Sequence, residues 1–504
     1  MSNVKQLIAF ASGVLTVLAF APFDYYFLAY LSVSILFYLW LNETPRQAAK
    51  IGYFFGLGLL AVGTFWLHVS IDKFGGVPYP LAVLLALIFA ALMSLFYALA
   101  GWLSSSLTLR YKASLLVHLL LIFPAVWTQL EVARAYFLSG FPWLSLGYSQ
   151  IDTPVAMLAP VAGVFGISWF MALICGALVL LAKGHLKQRM ASLTVLVAAS
   201  FAVFLSVSFE WSESKGKKLT VSIIQGNVPQ EIKWQPAYFE SSIDLYQTLS
   251  FEQPADIVIW PETAIPGFYQ NVEGRVINPL KKRLAASNMQ LVTGIPYRAD
   301  DYGYFNSMVS LGAVEDRYDK RHLVPFGEYA PLDFILRPLV DYFQIPMSDF
   351  RPGQSDKPLL KIGEHQAGVS ICYEDAFGNE TAQALPEADY LVNISNDAWF
   401  GDSLAPHQHM QIARMRAVET SRYLLRATNT GISAIIDHQG KVLSISPQDK
   451  VAVVRGMVEP RQGLTLYAQL KDGLILLLGL LVVTGLEMTR KIKSMQINSG
   501  QGNG

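Results

Sequence analysis

The stretch FAVFLSVSFEWSESKGKKLTVSIIQGNV, residues 201–228, changes character in its middle. Up to Phe209 it carries no charge. From Glu210 to Lys218 it holds two acids and three lysines, and from Leu219 it becomes a β-branched run. A chain comfortable in hydrocarbon thus gives way to one that folds in water, and the boundary falls near residue 209.

On the amino-terminal side, about 20 apolar residues are needed to cross a ~30 Å hydrocarbon layer. Seven runs approach that length, at about 6–22, 25–41, 51–69, 81–104, 114–130, 160–182 and 190–208, and an eighth, GLILLLGLLVVTGLEMT, occupies 473–489. Lys5, Arg46, Lys50, Arg110, Lys112, Lys183, Lys187, Arg189, Arg490, Lys491 and Lys493 all fall in gaps of one parity; the short gaps of the other parity hold Lys73 and Arg134. The positive-inside rule then predicts eight spans with both termini in the cytoplasm and residues 210–472 on the far face, the periplasm of a diderm bacterium. Ala19-Phe20-Ala21 resembles a signal-peptidase site, but Pro22 follows directly and Lys5 is the lone cation ahead of it, so the first run is expected to be retained. Residues 490–504 are polar and glycine-rich and suggest a disordered cytoplasmic tail.

The whole-chain composition agrees. Of 504 residues 53% are hydrophobic and 15% charged, against about 25% charged in soluble domains, and the mean hydropathy is +0.36. The 38 basic and 38 acidic residues cancel, which leaves no electrostatic pull toward nucleic acid. Cys175 and Cys372, the two cysteines, cannot build a disulfide framework.

Within 219–459, eight segments read as strands: 219–228, 255–263, 290–297, 305–312, 367–375, 390–397, 432–437 and 453–460. Helical patterns cover about 236–251, 273–287 and 405–421. Strands alternating with helices imply a layered α/β or α+β domain. No internal repeat and no phosphate-binding glycine loop is visible.

Three strand ends carry chemistry: Glu262 in IWPETAIPG, Lys320 in RYDKRHLVPFGEY and Cys372 in VSICYED. A cysteine on an apolar strand is ordinarily an inert core thiol, as Cys175 in MALICGALVL is expected to be. Cys372 differs, because Tyr373, Glu374 and Asp375 follow at once and open the strand into polar surroundings. Glu262 follows Trp260-Pro261, where the chain must leave the strand. His407 and His409 form an H-x-H pair with no carboxylate at a ligand-like spacing, so no metal and no cofactor is expected.

Taken together these segments resemble the nitrilase superfamily, with its Glu-Lys-Cys triads in this chain order, and within it the membrane-embedded apolipoprotein N-acyltransferase family. The resemblance covers nearly the whole chain: SGFPWLSLGYSQID (139–152), IIQGNVPQEIKW (223–234), WPETAIP (260–266), YDKRHLVPFGEYAPL (318–332), ICYED (371–375), NISNDAWFG (393–401) and ARMRAVETSRYLLRATNTGISA (413–434). It implies an αββα sandwich joined to a polytopic helical membrane domain, with Glu262 as base, Lys320 as oxyanion stabiliser beside a backbone N–H near Tyr373, and Cys372 as nucleophile. It further implies accessory carboxylates at Glu328 and Glu374, and pocket positions at Tyr373, Trp234 and Asn306. Trp399 and Phe400 would lid the site toward lipid and, with FPWL (141–144), exclude water. The implied partners are a membrane phospholipid, preferentially phosphatidylethanolamine through its sn-1 chain, as donor, and the α-amine of a diacylglyceryl-cysteine apolipoprotein as acceptor, with the enzyme a monomer. A membrane-anchored amidase or nitrilase shares the triad but needs only one anchor. A transporter or lipid receptor needs the spans but would show paired intramembrane charges, for which Glu131 and Arg134 are the nearest candidates.

Overall fold

A computed structural model describes residues 2–299, 303–329 and 350–501. The chain forms two compact units: residues 1–65, 83–209 and 470–504 make one, and residues 66–82 with 210–469 make the other. The junction at Phe209 and Glu210 is the point where the charges begin.

The first unit is helical. Five of its helices, among the described residues, are long and apolar enough to cross a membrane: Tyr79–Tyr111, Leu115–Tyr136, Pro154–Lys183, Leu186–Val207 and Gly473–Gln496. A sixth is reached if Pro45–Gly63 and Leu67–Phe74, the latter in the other unit, count as one broken span. The eight expected spans are therefore not all present as long helices. The first two runs form helices of only 16 and 14 residues, Ser2–Val17 and Phe27–Trp40, short of the roughly 20 residues that the hydrocarbon layer asks of a straight helix. The last helix continues as Gly473–Gln501 through most of the polar stretch for which composition suggested no structure.

Two of these helices leave most of their apolar surface uncovered: only 11% of the most apolar window is buried in Leu186–Val207 and likewise in Gly473–Gln496. A core helix of a soluble protein would bury that face, whereas a lipid-facing helix need not. Where helices do meet, small residues permit it. A Cβ on Gly13 would lie 2.0 Å from the carbonyl oxygen of Phe55, and one on Gly58 would lie 2.2 Å from that of Phe10, so Ser2–Val17 and Pro45–Gly63 pack backbone to backbone. Glu131 and Arg134 are buried in the same unit, and each is engaged by nearby groups. Glu131 Oε1 accepts from Trp127 Nε1 at 3.0 Å and from the Leu146 amide at 2.9 Å. Arg134 donates to the carbonyls of Phe141 and Trp143 and to Ser145 Oγ. The pair thereby fastens the SGFPWLS segment in place.

The second unit is an αββα sandwich. Twelve strands form its two main sheets: β1 (Leu219–Gln225), β2 (Ile257–Ile259), β3 (Gln290–Arg298), β4 (Tyr304–Leu311), β5 (Asp316–Asp319), β6 (Leu359–Ile362), β7 (His365–Ile371), β8 (Tyr390–Ser395), β9 (Leu424–Thr428), β10 (Ala434–Ile436), β11 (Val442–Ile445) and β12 (Ala452–Val458). One sheet has the order β12-β1-β2-β3-β4-β5 and the other β6-β7-β8-β9-β10-β11. Read in those directions both show the same pairing: antiparallel, parallel, parallel, antiparallel, antiparallel. The domain is thus a structural repeat.

Period-two alternation builds its layers. Ile223, Ile257, Ile259, Val392, Leu425 and Ile435 point between the sheets into one shared core. Their neighbours Ile224 and Val258 face the helices Pro236–Phe251 and Asn278–Ser287 on one outer side. Leu391, Leu424 and Ile436 face Ala405–Thr420 on the other. With roughly 25 cal/mol per Å² of apolar surface removed from water, this triple layering supplies the domain's main driving force.

Candidate active site

The three strand ends converge. Glu262 sits just past β2, Lys320 just past β5 and Cys372 just past β7, and all three are buried at 7%, 1% and 8% exposure. Lys320 and Cys372 each feel the charges of the other two, and Glu262 feels that of Lys320. The sandwich therefore brings to one place residues up to 110 positions apart in the chain (372 − 262).

Local backbone geometry holds each group. Cys372 lies in a left-handed conformation, φ 53°, at the start of the turn Cys372–Ala376. Such a conformation costs a non-glycine residue about 1–3 kcal/mol and persists only where its surroundings enforce it. Here Glu374 enforces it: Oε2 accepts from the Ile371 amide at 2.7 Å, and Oε1 accepts from Tyr318 Oη, the Arg321 amide and the His322 amide. One carboxylate thus ties the cysteine turn to the strand end that carries Lys320. On the other side, Gly294 of β3 lies under the Glu262 turn, where a Cβ would stand 2.4 Å from the Thr263 amide and 2.7 Å from Glu262 Cα.

Among the side chains, Lys320 Nζ is held by both oxygens of Glu328, at 2.9 and 2.8 Å. Asn306 Nδ2 donates to Glu262 Oε1 at 2.7 Å and to Glu328 Oε1 at 3.2 Å. Glu262 Oε2 is buried and has no hydrogen-bond partner among the described residues. Burial pushes the Glu262 carboxyl up, Lys320 opposing and Glu328 adding to the rise. Burial also pushes the Cys372 thiol up, reinforced by Glu262 and countered by Lys320. For Lys320 burial alone would favour the neutral amine, but Glu328, Cys372 and Glu262 together drive its proton affinity above the usual lysine range. Burial thus favours the neutral Cys372 thiol, the surrounding anions favour the charged Lys320, and Glu262 has a raised proton affinity and one oxygen without a hydrogen-bond partner among the described residues. Such an arrangement can deprotonate the sulfur as it attacks and can steady negative charge on a carbonyl oxygen.

The remaining expected positions divide. Asn306, Glu328 and Glu374 belong to this network. Tyr373 is half-buried, its ring against His322 and Phe377. Trp234 ends the short helix Gln230–Lys233 and is 53% exposed. Trp399 and Phe400 sit on the turn Asp397–Phe400 and pack on Phe74 and Trp66 respectively, with Ser70 Oγ donating to the Trp399 carbonyl at 2.6 Å. Residues 330–332, at the end of the YDKRHLVPFGEYAPL motif, lie outside the described residues.

Sequence reasoning missed two groups. Lys233 is 3% exposed, and its Nζ donates to the Glu262 carbonyl at 3.1 Å; its place in IIQGNVPQEIKW, beside the noted Trp234, was the available signal. The other is a buried ionic cluster. His409 Nε2 meets Asp375 at 2.8 Å and its Nδ1 meets Asp397 at 3.0 Å, while Arg426 bonds the second oxygens of both aspartates at 3.1 Å. Burial and Arg426 disfavour charge on His409, but the two aspartates prevail and raise it to about 9. No group of three or more His, Cys, Asp or Glu among the described residues is arranged to hold a metal ion.

Comparison with known proteins covers both units. Residues 12–177 match the family model of the apolipoprotein N-acyltransferase N-terminal domain, and residues 211–460 match that of the carbon-nitrogen hydrolases. The chain is 44% identical over 468 residues to the apolipoprotein N-acyltransferase of Methylococcus capsulatus, covering 92% of each chain. It is 42% identical to the protein of that name from Pseudomonas putida, again over 92% of each, and 39% identical to the one from Nitrosomonas europaea, over 95% of this chain and 97% of that one. Among solved structures, a carbon-nitrogen hydrolase from Helicobacter pylori aligns with 48% of this chain and 89% of its own at 16% identity, with a TM-score of 0.34.

Proposed function

The chain belongs to the apolipoprotein N-acyltransferase family, and from that premise we propose a two-step acyl transfer through Cys372. It is a membrane protein that N-acylates lipoproteins. In the first step the Cys372 sulfur attacks an ester carbonyl of a glycerophospholipid while Glu262 takes the thiol proton. The C–S bond forms, the ester C–O bond breaks, and the departing lysophospholipid oxygen receives that proton. In the second step the α-amine of a diacylglyceryl-cysteine attacks the thioester, Glu262 removes one amine proton, and the sulfur leaves and is reprotonated. Lys320 steadies the oxyanion in both steps, worth about 3 kcal/mol for one such donor.

The observation that carries this reading is the strained, buried Cys372 turn set among Glu262 and Lys320. Its pairing with apolar helices supports a lipid donor, because a chain taken directly from a bilayer avoids about 0.8 kcal/mol per CH₂ of transfer into water. Phosphatidylethanolamine, through its sn-1 chain, is the donor proposed. The cation distribution supports an inner-membrane protein with eight spans, the two short helices included, both termini cytoplasmic and residues 210–472 periplasmic. The enzyme acts as a monomer on these two amphiphiles, without nucleic acid. Trp399 and Phe400 exclude water from the thioester.

The test uses full-length protein in phosphatidylethanolamine vesicles with a diacylglyceryl-cysteine peptide. The expected result is a peptide heavier by one acyl chain on its α-amine, matched mole for mole by lysophospholipid. Free fatty acid released at that rate, or amide turnover without lysophospholipid, would overturn the proposal in favour of a hydrolase.

A further inference from the structure

The buried charges around Glu262 can be counted. Lys320 is paired twice with Glu328, so its charge is shared between that carboxylate and Glu262, and Glu262 has no ion pair of its own among the described residues. Glu374 is occupied by four donors at the cysteine turn. Among the described residues a further buried cation bears on Glu262: Lys233, 3% exposed, whose three N–H groups find a single acceptor there, the Glu262 carbonyl at 3.1 Å. An ammonium buried with so few partners is costly to keep charged unless an anion compensates it. Two buried lysines and two buried glutamates make a neutral set.

We propose that Lys233 is a positioning residue for the base, its ammonium anchored on the Glu262 main chain and keeping the Glu262 side chain charged so that it can take the Cys372 proton. The charged groups bearing on this pair are Lys320 from the β5 end, Glu328 from the loop after it and Cys372 from the β7 end. On its own short helix, Gln230 is engaged by Asn396 and Glu231 is exposed. Burial brings the Lys233 ammonium down to about 8, with Glu262 opposing the fall. Below that pH its charge favours the ionised base.

This inference rests on Glu262 acting as base for Cys372, and its test needs neither acyl donor nor acceptor. In full-length protein carrying Cys175→Ala, so that one thiol remains, the rate of Cys372 alkylation by iodoacetamide is measured against pH for the parent, Lys233→Met, Lys233→Gln and Lys233→Arg. Loss of an opposite charge at short range raises a carboxyl pKa by about one unit or more. Lys233→Met and Lys233→Gln should both move the acid-side midpoint up by about one pH unit and slow alkylation roughly tenfold below it, while Lys233→Arg keeps the parental midpoint. Gln retains a donor to the carbonyl, so it separates charge from hydrogen bonding and serves if the Met variant folds poorly. A parental midpoint in Lys233→Gln overturns the proposal, whatever the outcome of the acyl-transfer assay.

Discussion

Two buried ionic clusters adjoin the Cys372 sulfur, and they behave oppositely. Glu262, Lys320 and Glu328 form one; Asp375, Asp397, His409 and Arg426 form the other. Desolvation penalises the carboxylates of both. In the second cluster both oxygens of each aspartate have cationic partners, and the Asp397 carboxyl is held below its usual range by Arg426 and His409 against the cost of burial. In the first, Glu262 keeps one oxygen without a partner among the described residues and its proton affinity rises. Burial is common to both, and the cations and donors facing each carboxylate separate Asp397, held low, from Glu262, held high.

Substitutions should separate the two roles. The largest effect belongs to Cys372→Ser: a serine hydroxyl is far harder to deprotonate with a carboxylate, and acyl transfer should fall by at least about a thousandfold with the fold intact by circular dichroism. Lys320→Met should follow, lowering the rate of Cys372 acylation by about 10²–10³ and also destabilising the domain, since it leaves Glu328 buried without its ion-pair partner. Arg426→Met tests the other cluster. It should cost about 3–5 kcal/mol of stability in denaturant unfolding while the folded fraction keeps its acylation rate. An acylation loss in Arg426→Met as large as that in Lys320→Met would erase the distinction.

The smallest effect is a pH dependence. His409 is raised in the folded state from about 6.5 to about 9, so its contribution is fully present below pH ~6.5 and is lost as pH rises through ~9. That contribution is of order 3 kcal/mol. The parent should therefore lose stability between pH 7 and 9.5, and His409→Gln should show a flatter profile across that window.

Much of this was legible in the sequence, for physical reasons. Strands such as 219–225 and 365–371 are buried on both faces over their last five residues, and Val221, Ile223 and Ile224 in one and Val369 and Ile371 in the other give them a readable β-branched character. Asp316–Asp319 did not announce itself, because it is an edge strand with one buried side chain, Tyr318, among exposed or partly exposed charges. The repeated sheet topology left no trace in residue identities, since a strand asks only for apolar alternation. Helix Ala405–Thr420 hides the second cluster's histidine most effectively: Gln408, His409, Gln411, Arg416 and Glu419 are all buried, so polarity that reads as a solvated face belongs to the interior. Of the eight expected spans, five or six among the described residues are long apolar helices. The first two apolar runs are long enough as composition but are cut to 16 and 14 helical residues, and the third breaks after Gly63. Glu262, Lys320 and Cys372 could be singled out because each ends a strand beside a distinctive turn; the Lys233 ammonium could not, because its partner is a main-chain carbonyl brought close only by the fold.

The most direct measurement is mass spectrometry of the Cys372 peptide after full-length protein is exposed to a defined phosphatidylethanolamine without acceptor. The account predicts one acyl chain in thioester linkage on that sulfur, lost on addition of a diacylglyceryl-cysteine peptide. An unmodified Cys372 peptide in a preparation that still acylates the acceptor would contradict it.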